Sequence, residues 1–125
     1  MIRVKRLTKS FFYAFKGLYK VFKEEQNVRI QTLAAIIAAA AGTYFNISRN
    51  EWCFLILAIT IVLLMEILNS AVERVADILK PRIDRYVKEI KDITAAAVML
   101  ASIMSLILGS VIFLPYIWRL LINLV

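Results

Sequence analysis

One stretch decides the fold of this chain: Met65-Glu66-Ile67-Leu68-Asn69-Ser70-Ala71-Val72-Glu73-Arg74-Val75-Ala76-Asp77, which continues a long apolar run. Its three acids and one amide, Glu66, Asn69, Glu73 and Asp77, recur at helical spacing and fall within an arc of about 80° on one helix face. A charged side chain inside a bilayer costs about 2.5 to 3.5 kcal/mol, so such groups face partners, water or a ligand. This face, the polar stripe, is the candidate functional site.

Composition indicates an integral membrane protein, because 62% of the 125 residues are hydrophobic. A helix needs about 20 residues to cross the hydrocarbon core of a bilayer. Three segments meet that length, at about 28–45, 52–79 and 92–114. The sequence therefore predicts an all-α membrane protein with one domain over residues 1–125, in which an amphipathic surface helix over residues 1–27 precedes three transmembrane helices.

The segments outside these crossings also carry recognisable patterns. Residues 1–27 interleave aromatic side chains with lysines at helical spacing, which is typical of a helix lying at a membrane interface. Residues 46–50 predict a tight turn. Pro81 forbids helix beyond Leu79, so residues 80–92 are expected to form a charged loop or a short surface helix.

The distribution of Lys and Arg predicts the orientation. Eight lie in residues 1–29, one is Arg49, six lie in residues 74–91, and one is Arg119. The positive-inside rule then places the N-terminus and the 80–92 loop in the cytoplasm. These flanks account for the net charge of +7 and indicate contact with anionic lipid, and no nucleic-acid partner is expected.

The residue inventory excludes several kinds of site. A single cysteine, Cys53, allows no internal disulfide or thiolate metal cluster, and the absence of histidine excludes His-based triads and the usual transition-metal sites. Carboxylate oxygens remain, and these suit Mg²⁺ held together with phosphates. Only three glycines occur, and no P-loop motif is present.

The polar stripe has the groups that phosphoryl transfer requires. A desolvated carboxylate such as Glu66 can accept a proton from a hydroxyl, and Asn69 can orient it. Glu73 together with Glu25 can hold Mg²⁺ on a polyphosphate, and Lys91 can neutralise charge on a transferring phosphoryl group.

The residues alone also allow a non-enzymatic membrane protein. Glu66 and Glu73 could line an ion or proton pathway, or the polar groups could join helices in an assembly subunit. A conducting pathway needs polar groups across the whole bilayer, whereas residues 53–65 and 105–114 are almost wholly apolar. Confinement of the polar set to one leaflet favours chemistry at the interface.

Three blocks of sequence carry a resemblance: Lys16-Gly17-Leu18 with Glu25 and Arg29, residues 66–73 followed by Asp77, and Lys91-Asp92 followed by residues 95–98. Together they resemble the prokaryotic diacylglycerol kinase family, the small three-span lipid kinases that include undecaprenol kinases.

The resemblance implies a homotrimer with composite active sites at protomer interfaces, in the bacterial cytoplasmic (inner) membrane. It also implies phosphorylation of a lipid alcohol by ATP and Mg²⁺ at the cytoplasmic face, giving phosphatidic acid from diacylglycerol or undecaprenyl phosphate from undecaprenol. The implied roles are these: Glu66 is the catalytic base, Glu25 and Glu73 are Mg²⁺ ligands, Lys91 contacts phosphate, Asp77 contacts the nucleoside, Arg6 and Tyr13 contact the nucleotide, Asn69 supports the site, and Asp92 caps the third helix or pairs with a neighbour.

Two features depart from the family pattern. Residues 87–90 replace small residues that relatives often carry before Lys91, and Gln31 stands where some relatives have an acid or a histidine. The ending Ile112-Phe113-Leu114-Pro115 resembles the undecaprenol kinase branch more than the diacylglycerol branch.

Overall fold

The computed structural model describes residues 4–79 and 84–124 and folds them into four α-helices. These are α1 (Val4–Glu24), α2 (Gln26–Phe45), α3 (Arg49–Leu79) and α4 (Asp84–Leu124). The last three are long and apolar enough to cross a membrane, which confirms the predicted all-α architecture with three candidate spans. α3 is described as far as Leu79, and Pro81, which was expected to end this helix, lies outside the described residues.

A single residue separates α1 from α2. Glu25 has an extended backbone, with φ −97° and ψ 115°, although its N–H still donates to the Val21 carbonyl at 2.8 Å. The helical N-terminal segment, predicted over residues 1–27, therefore ends at Glu24, and Gln26 already belongs to the next helix. The break leaves Glu25 between two helices, where its side chain reaches α3.

The turn between α2 and α3 is closed by a Schellman motif. Asn46 adopts a left-handed conformation with φ 52°, its N–H donates to Thr43, and the Ile47 N–H donates to the Gly42 carbonyl at 3.1 Å. A side chain at Gly42 would be tightly packed, since a Cβ there would lie 3.0 Å from Ile47 Cδ1 and 3.1 Å from the Trp52 ring. The turn, predicted over residues 46–50, thus occupies only residues 46–48, and α3 already begins at Arg49.

The start of α3 carries a capping box. The Ser48 N–H donates to the Glu51 carboxylate at 2.7 Å, and the Glu51 N–H donates to Ser48 Oγ at 3.3 Å. The Tyr116 hydroxyl also donates to Glu51, at 2.8 Å, and so joins the far end of α4 to the start of α3. A small apolar core of Ile47, Leu55 and Ile112 lies beside these contacts.

α4 is much longer than the predicted third crossing. It begins at Asp84 and ends at Leu124, so the expected loop or separate surface helix over residues 80–92 is wrong for residues 84–92. These residues are the first turns of the spanning helix, because Val87 among the charged side chains is buried and anchors them. The helix also continues through Pro115, which membrane helices tolerate when neighbouring groups compensate.

α3 is the central helix and packs mainly against α4. Its buried face follows steps of three and four residues, through Leu55, Ala58, Val62, Glu66 and Ser70. The same face is apolar at one end and polar at the other. Most other large apolar side chains of the spans are exposed in the single chain and are suited to contact lipid or other membrane helices.

Candidate active site

Glu66 lies at the point where the buried face of α3 becomes polar. Its side chain is only 6% exposed. Gln31 of α2, Glu25 and Glu73 are all close enough to the carboxylate to act on it electrostatically. A buried acid among other acids needs a proton, a cation or a donor as compensation. The structure therefore brings together the three carboxylates that the sequence singled out.

Glu25 reaches this cluster from the break between α1 and α2. Its Oε1 accepts a hydrogen bond from Ser70 Oγ at 2.8 Å and another from Arg74 Nη2 at 3.2 Å. The same Arg74 nitrogen lies 2.8 Å from a Glu24 carboxylate oxygen. Two adjacent acids and two residues of α3 thus form one network at the cytoplasmic end predicted for the bundle.

Lys91 of α4 joins the other end of the polar stripe. Its Nζ lies 2.5 Å from Asp77 Oδ1, and Glu73 is near enough to act on its charge. Glu73 is therefore within electrostatic range of both the Glu66 carboxylate and the Lys91 ammonium. This arrangement places one basic group where phosphate oxygens could be neutralised.

Asn69 contributes a buried polar atom. Its Oδ1 has no hydrogen-bond partner among residues 4–79 and 84–124. Buried acceptors are nearly always paired, so an exception indicates an unfilled position for a donor, a ligand or water. This position suits the supporting role expected for Asn69.

The remaining predicted residues lie apart from the carboxylate cluster. Tyr13 lines a groove of about 440 Å³ between α1 and α3, whose wall also includes Arg74. Arg6 is exposed in the first turn of α1. Asp92 is exposed inside α4, eight residues after Asp84. The expectation that it caps the third transmembrane helix, which is α4, is therefore wrong.

Sequence reasoning missed the residues that hold Glu25 in place, Ser70 and Arg74. Both follow Glu66 at intervals of four, so all three lie in one row along α3. The spacing of this row was visible in the sequence. Its contact with Glu25 was not, because the helix break at Glu25 is a feature of the three-dimensional structure.

The acid side chains offer a partial cation site. Among the described residues, no group of three or more His, Cys, Asp or Glu is spaced to hold a metal ion. Mg²⁺ often binds through one or two carboxylates and completes its shell with phosphate oxygens and water. The donor set at Glu25 and Glu73 fits a cation of that kind, bound together with a polyphosphate.

Comparison with known proteins gives consistent matches. The sequence model described as prokaryotic diacylglycerol kinase matches residues 12–113, which include the whole polar stripe. The undecaprenol kinase of Bacillus subtilis (strain 168) is 32% identical over 110 residues, which is 88% of this chain and 89% of that protein. The diacylglycerol kinase of Escherichia coli (strain K12) is 29% identical over 102 residues, 82% of this chain and 84% of that protein.

A longer relative matches over the same part of the chain. The diacylglycerol kinase of Synechocystis sp. (strain ATCC 27184 / PCC 6803 / Kazusa) is 32% identical over 107 residues, which is 85% of this chain and 61% of that protein. The match to the family model begins at residue 12, so Arg6 lies outside it, whereas Glu25, Glu66, Glu73 and Lys91 lie inside.

Proposed function

The chain belongs to the prokaryotic diacylglycerol kinase family and is a lipid kinase, and we propose that it transfers the γ-phosphoryl group of ATP, with Mg²⁺, to a membrane lipid alcohol. The acceptor is undecaprenol or diacylglycerol, and the product is undecaprenyl phosphate or phosphatidic acid. The observation that carries this proposal is the clustering of Glu25 and Glu73 around the buried Glu66 inside a spanning helix.

Glu66 is the general base of the proposed reaction. The lipid hydroxyl oxygen attacks the γ-phosphorus, its proton passes to the Glu66 carboxylate, and the bond from that phosphorus to the bridging oxygen of ADP breaks. Gln31 is close enough to act on the carboxylate electrostatically. Asn69 offers its unpaired Oδ1 to a donor that arrives with the substrates.

Glu25 and Glu73 hold Mg²⁺ in this proposal. When bound, the ion neutralises charge on the polyphosphate and aligns it for transfer. Lys91 contacts the phosphates once it exchanges its ion pair with Asp77 for a phosphate oxygen. Asp77 contacts the nucleoside in this proposal. Arg6 and Tyr13 add nucleotide contacts from α1.

The choice of lipid favours undecaprenol. The undecaprenol kinase of Bacillus subtilis matches 88% of this chain at 32% identity, and the residues at 112–115 resemble that branch. Diacylglycerol is the second candidate, because the relatives from Escherichia coli and Synechocystis carry that name at similar identity.

The working form is proposed to be a homotrimer with active sites between protomers. The exposed apolar surface of the spans can contact other copies, and the described part of one chain holds no complete metal cage. α1 lies at the cytoplasmic interface of the inner membrane, with its lysines toward anionic headgroups. Family membership argues against the ion-pathway and assembly-subunit alternatives.

The proposal is tested with purified protein in mixed micelles that contain a lipid alcohol. Incubation with γ-labelled ATP and Mg²⁺ is expected to yield labelled lipid, and removal of Mg²⁺ by a chelator is expected to stop it. Transfer at an unchanged rate in excess chelator would overturn the role assigned to the metal. Labelled lipid that forms equally without the protein would overturn the activity.

A further inference from the structure

Arg74 is the cationic centre of the network around Glu25. Its Nη2 lies 2.8 Å from Glu24 and 3.2 Å from Glu25 Oε1, and its Nε donates to Ser70 Oγ at 3.4 Å. Ser70 in turn donates to Glu25 Oε1 at 2.8 Å. One guanidinium therefore fixes two acids of the α1–α2 joint and the serine that holds one of them.

We propose that Arg74, acting with Ser70, is a positioning residue that orients the Glu25 carboxylate for the divalent cation. This inference rests on the proposed function, since it takes Glu25 as a metal ligand. Arg74 itself touches neither substrate nor reacting atoms in the proposal; it acts through Glu25.

The two oxygens of Glu25 are unequal. Oε1 accepts both hydrogen bonds, from Ser70 and from Arg74, while no donor within residues 4–79 and 84–124 bonds to Oε2. A carboxylate held through one oxygen presents the other in a fixed direction. Carboxylates that bind metal ions are commonly hydrogen-bonded in this way, and loss of the supporting group typically lowers metal affinity 10- to 100-fold.

Backbone geometry makes this support necessary. Glu25 is the one residue between α1 and α2, and its backbone is extended. Its side chain therefore does not point in the direction that either helix would impose. The side chain is half-buried and can adopt other rotamers. Contacts from α3 therefore direct the side chain toward Glu66. Arg74 also forms an ion pair with the preceding residue, Glu24.

A charge-conserving substitution tests positioning without changing the local field. Arg74→Lys keeps the positive charge, but a single ammonium on a flexible stem cannot reproduce the fork of the guanidinium across Glu24, Glu25 and Ser70. A neutral residue at position 74 would remove a repulsive charge and so favour cation binding. It would also remove the positioning contacts and so weaken cation binding, and the two opposite effects could not be separated.

The experiment measures Mn²⁺ binding by electron paramagnetic resonance of free Mn²⁺, with a nonhydrolysable ATP analogue and no lipid acceptor. Arg74→Lys is expected to raise the Mn²⁺ dissociation constant about tenfold, and Ser70→Ala is expected to raise it as well. Arg85→Lys is the matched control, because it makes the same exchange at an exposed position of α4. Its Mn²⁺ affinity is expected to equal that of the wild type.

Kinetics give a second readout that a purely structural role would not produce. Arg74→Lys is expected to raise the Mg²⁺ concentration for half-maximal rate about tenfold while kcat at saturating Mg²⁺ is largely retained. A protein that was merely less well folded would lose kcat with an unchanged Mg²⁺ requirement, and that result would overturn the positioning role.

The outcomes separate this inference from the proposed function. If Glu25→Gln weakens Mn²⁺ binding and Arg74→Lys does not, Glu25 is a ligand but Arg74 does not position it. If Glu25→Gln leaves Mn²⁺ binding unchanged, the metal role proposed for Glu25 is itself wrong. Tighter binding in Arg74→Lys would show that the guanidinium competes with the cation, and would also overturn the inference.

Discussion

Replacement of Glu66 by glutamine removes the proposed base with almost no change in side-chain shape. Glu66 is 6% exposed, so bulk water cannot readily replace it as the base, and its neighbours Glu25 and Glu73 are assigned to the metal ion in the proposed reaction. A positioned general base contributes about 10²- to 10⁴-fold to rate. At about 1.4 kcal/mol per tenfold, the expected rise in activation free energy is about 2.8 to 5.6 kcal/mol.

The assay compares kcat and thermal stability of Glu66→Gln with those of the wild type. We expect kcat to fall at least 100-fold, with the KM for ATP little changed and the apparent melting temperature not lowered, because the amide relieves repulsion from Glu25 and Glu73. The matched control is Glu51→Gln on the same helix. It loses charge-assisted hydrogen bonds from Ser48 and Tyr116, so it should melt at a lower temperature while keeping kcat.

The two variants are therefore expected to differ in opposite ways: Glu66→Gln loses kcat without melting at a lower temperature, and Glu51→Gln melts at a lower temperature without losing kcat. A Glu66→Gln protein that assembles normally and retains more than a tenth of the wild-type kcat would refute the assignment of the base. Loss of kcat in Glu51→Gln at a temperature where that protein is fully folded would show that the loss of kcat is not specific to Glu66, and it would remove the support that Glu66→Gln gives to the assigned base.

Three further predictions concern other parts of the chain. Glu73→Gln should raise the Mg²⁺ concentration for half-maximal rate at least tenfold, as measured by Mg²⁺ titration of initial rates; an unchanged requirement would remove it from the metal site. Lys91→Met should raise the KM for ATP and leave Asp77 without its Lys91 partner; rates at varied ATP test this, and an unaltered KM would argue against phosphate contact. Gly42→Val should destabilise the protein by about 1 to 3 kcal/mol, because a Cβ at this position would lie 3.1 Å from the Trp52 ring. Thermal melts test this, and a stability equal to that of the wild type would contradict the tight packing at Gly42.

The spans and the polar stripe were accessible from the sequence because both follow from helical periodicity and bilayer thickness. The helical structure of residues 84–92 was not accessible in this way, since the charged residues at 80–92 suggested a loop or a short surface helix. Burial of Val87 instead lets residues 84–92 form turns of a membrane helix.

The network around Glu25 joins residues of different helices, and such contacts cannot be predicted from helical periodicity. Arg74 and Ser70 lie in one row with Glu66 on α3, which the sequence contains. Their partner is placed by a one-residue break between α1 and α2, and the backbone geometry of such a break depends on tertiary packing. Residue type identified the acids of the site, but only the structure shows which of them are held together.

The most direct test of the central claim is a parallel transfer assay with γ-labelled ATP and Mg²⁺, using undecaprenol in one reaction and diacylglycerol in the other. The account predicts labelled lipid with wild-type protein, undecaprenol as the better acceptor, and no label above background with Glu66→Gln. Absence of label in both lipids, from folded protein in a lipid-containing assay, would contradict the proposed reaction.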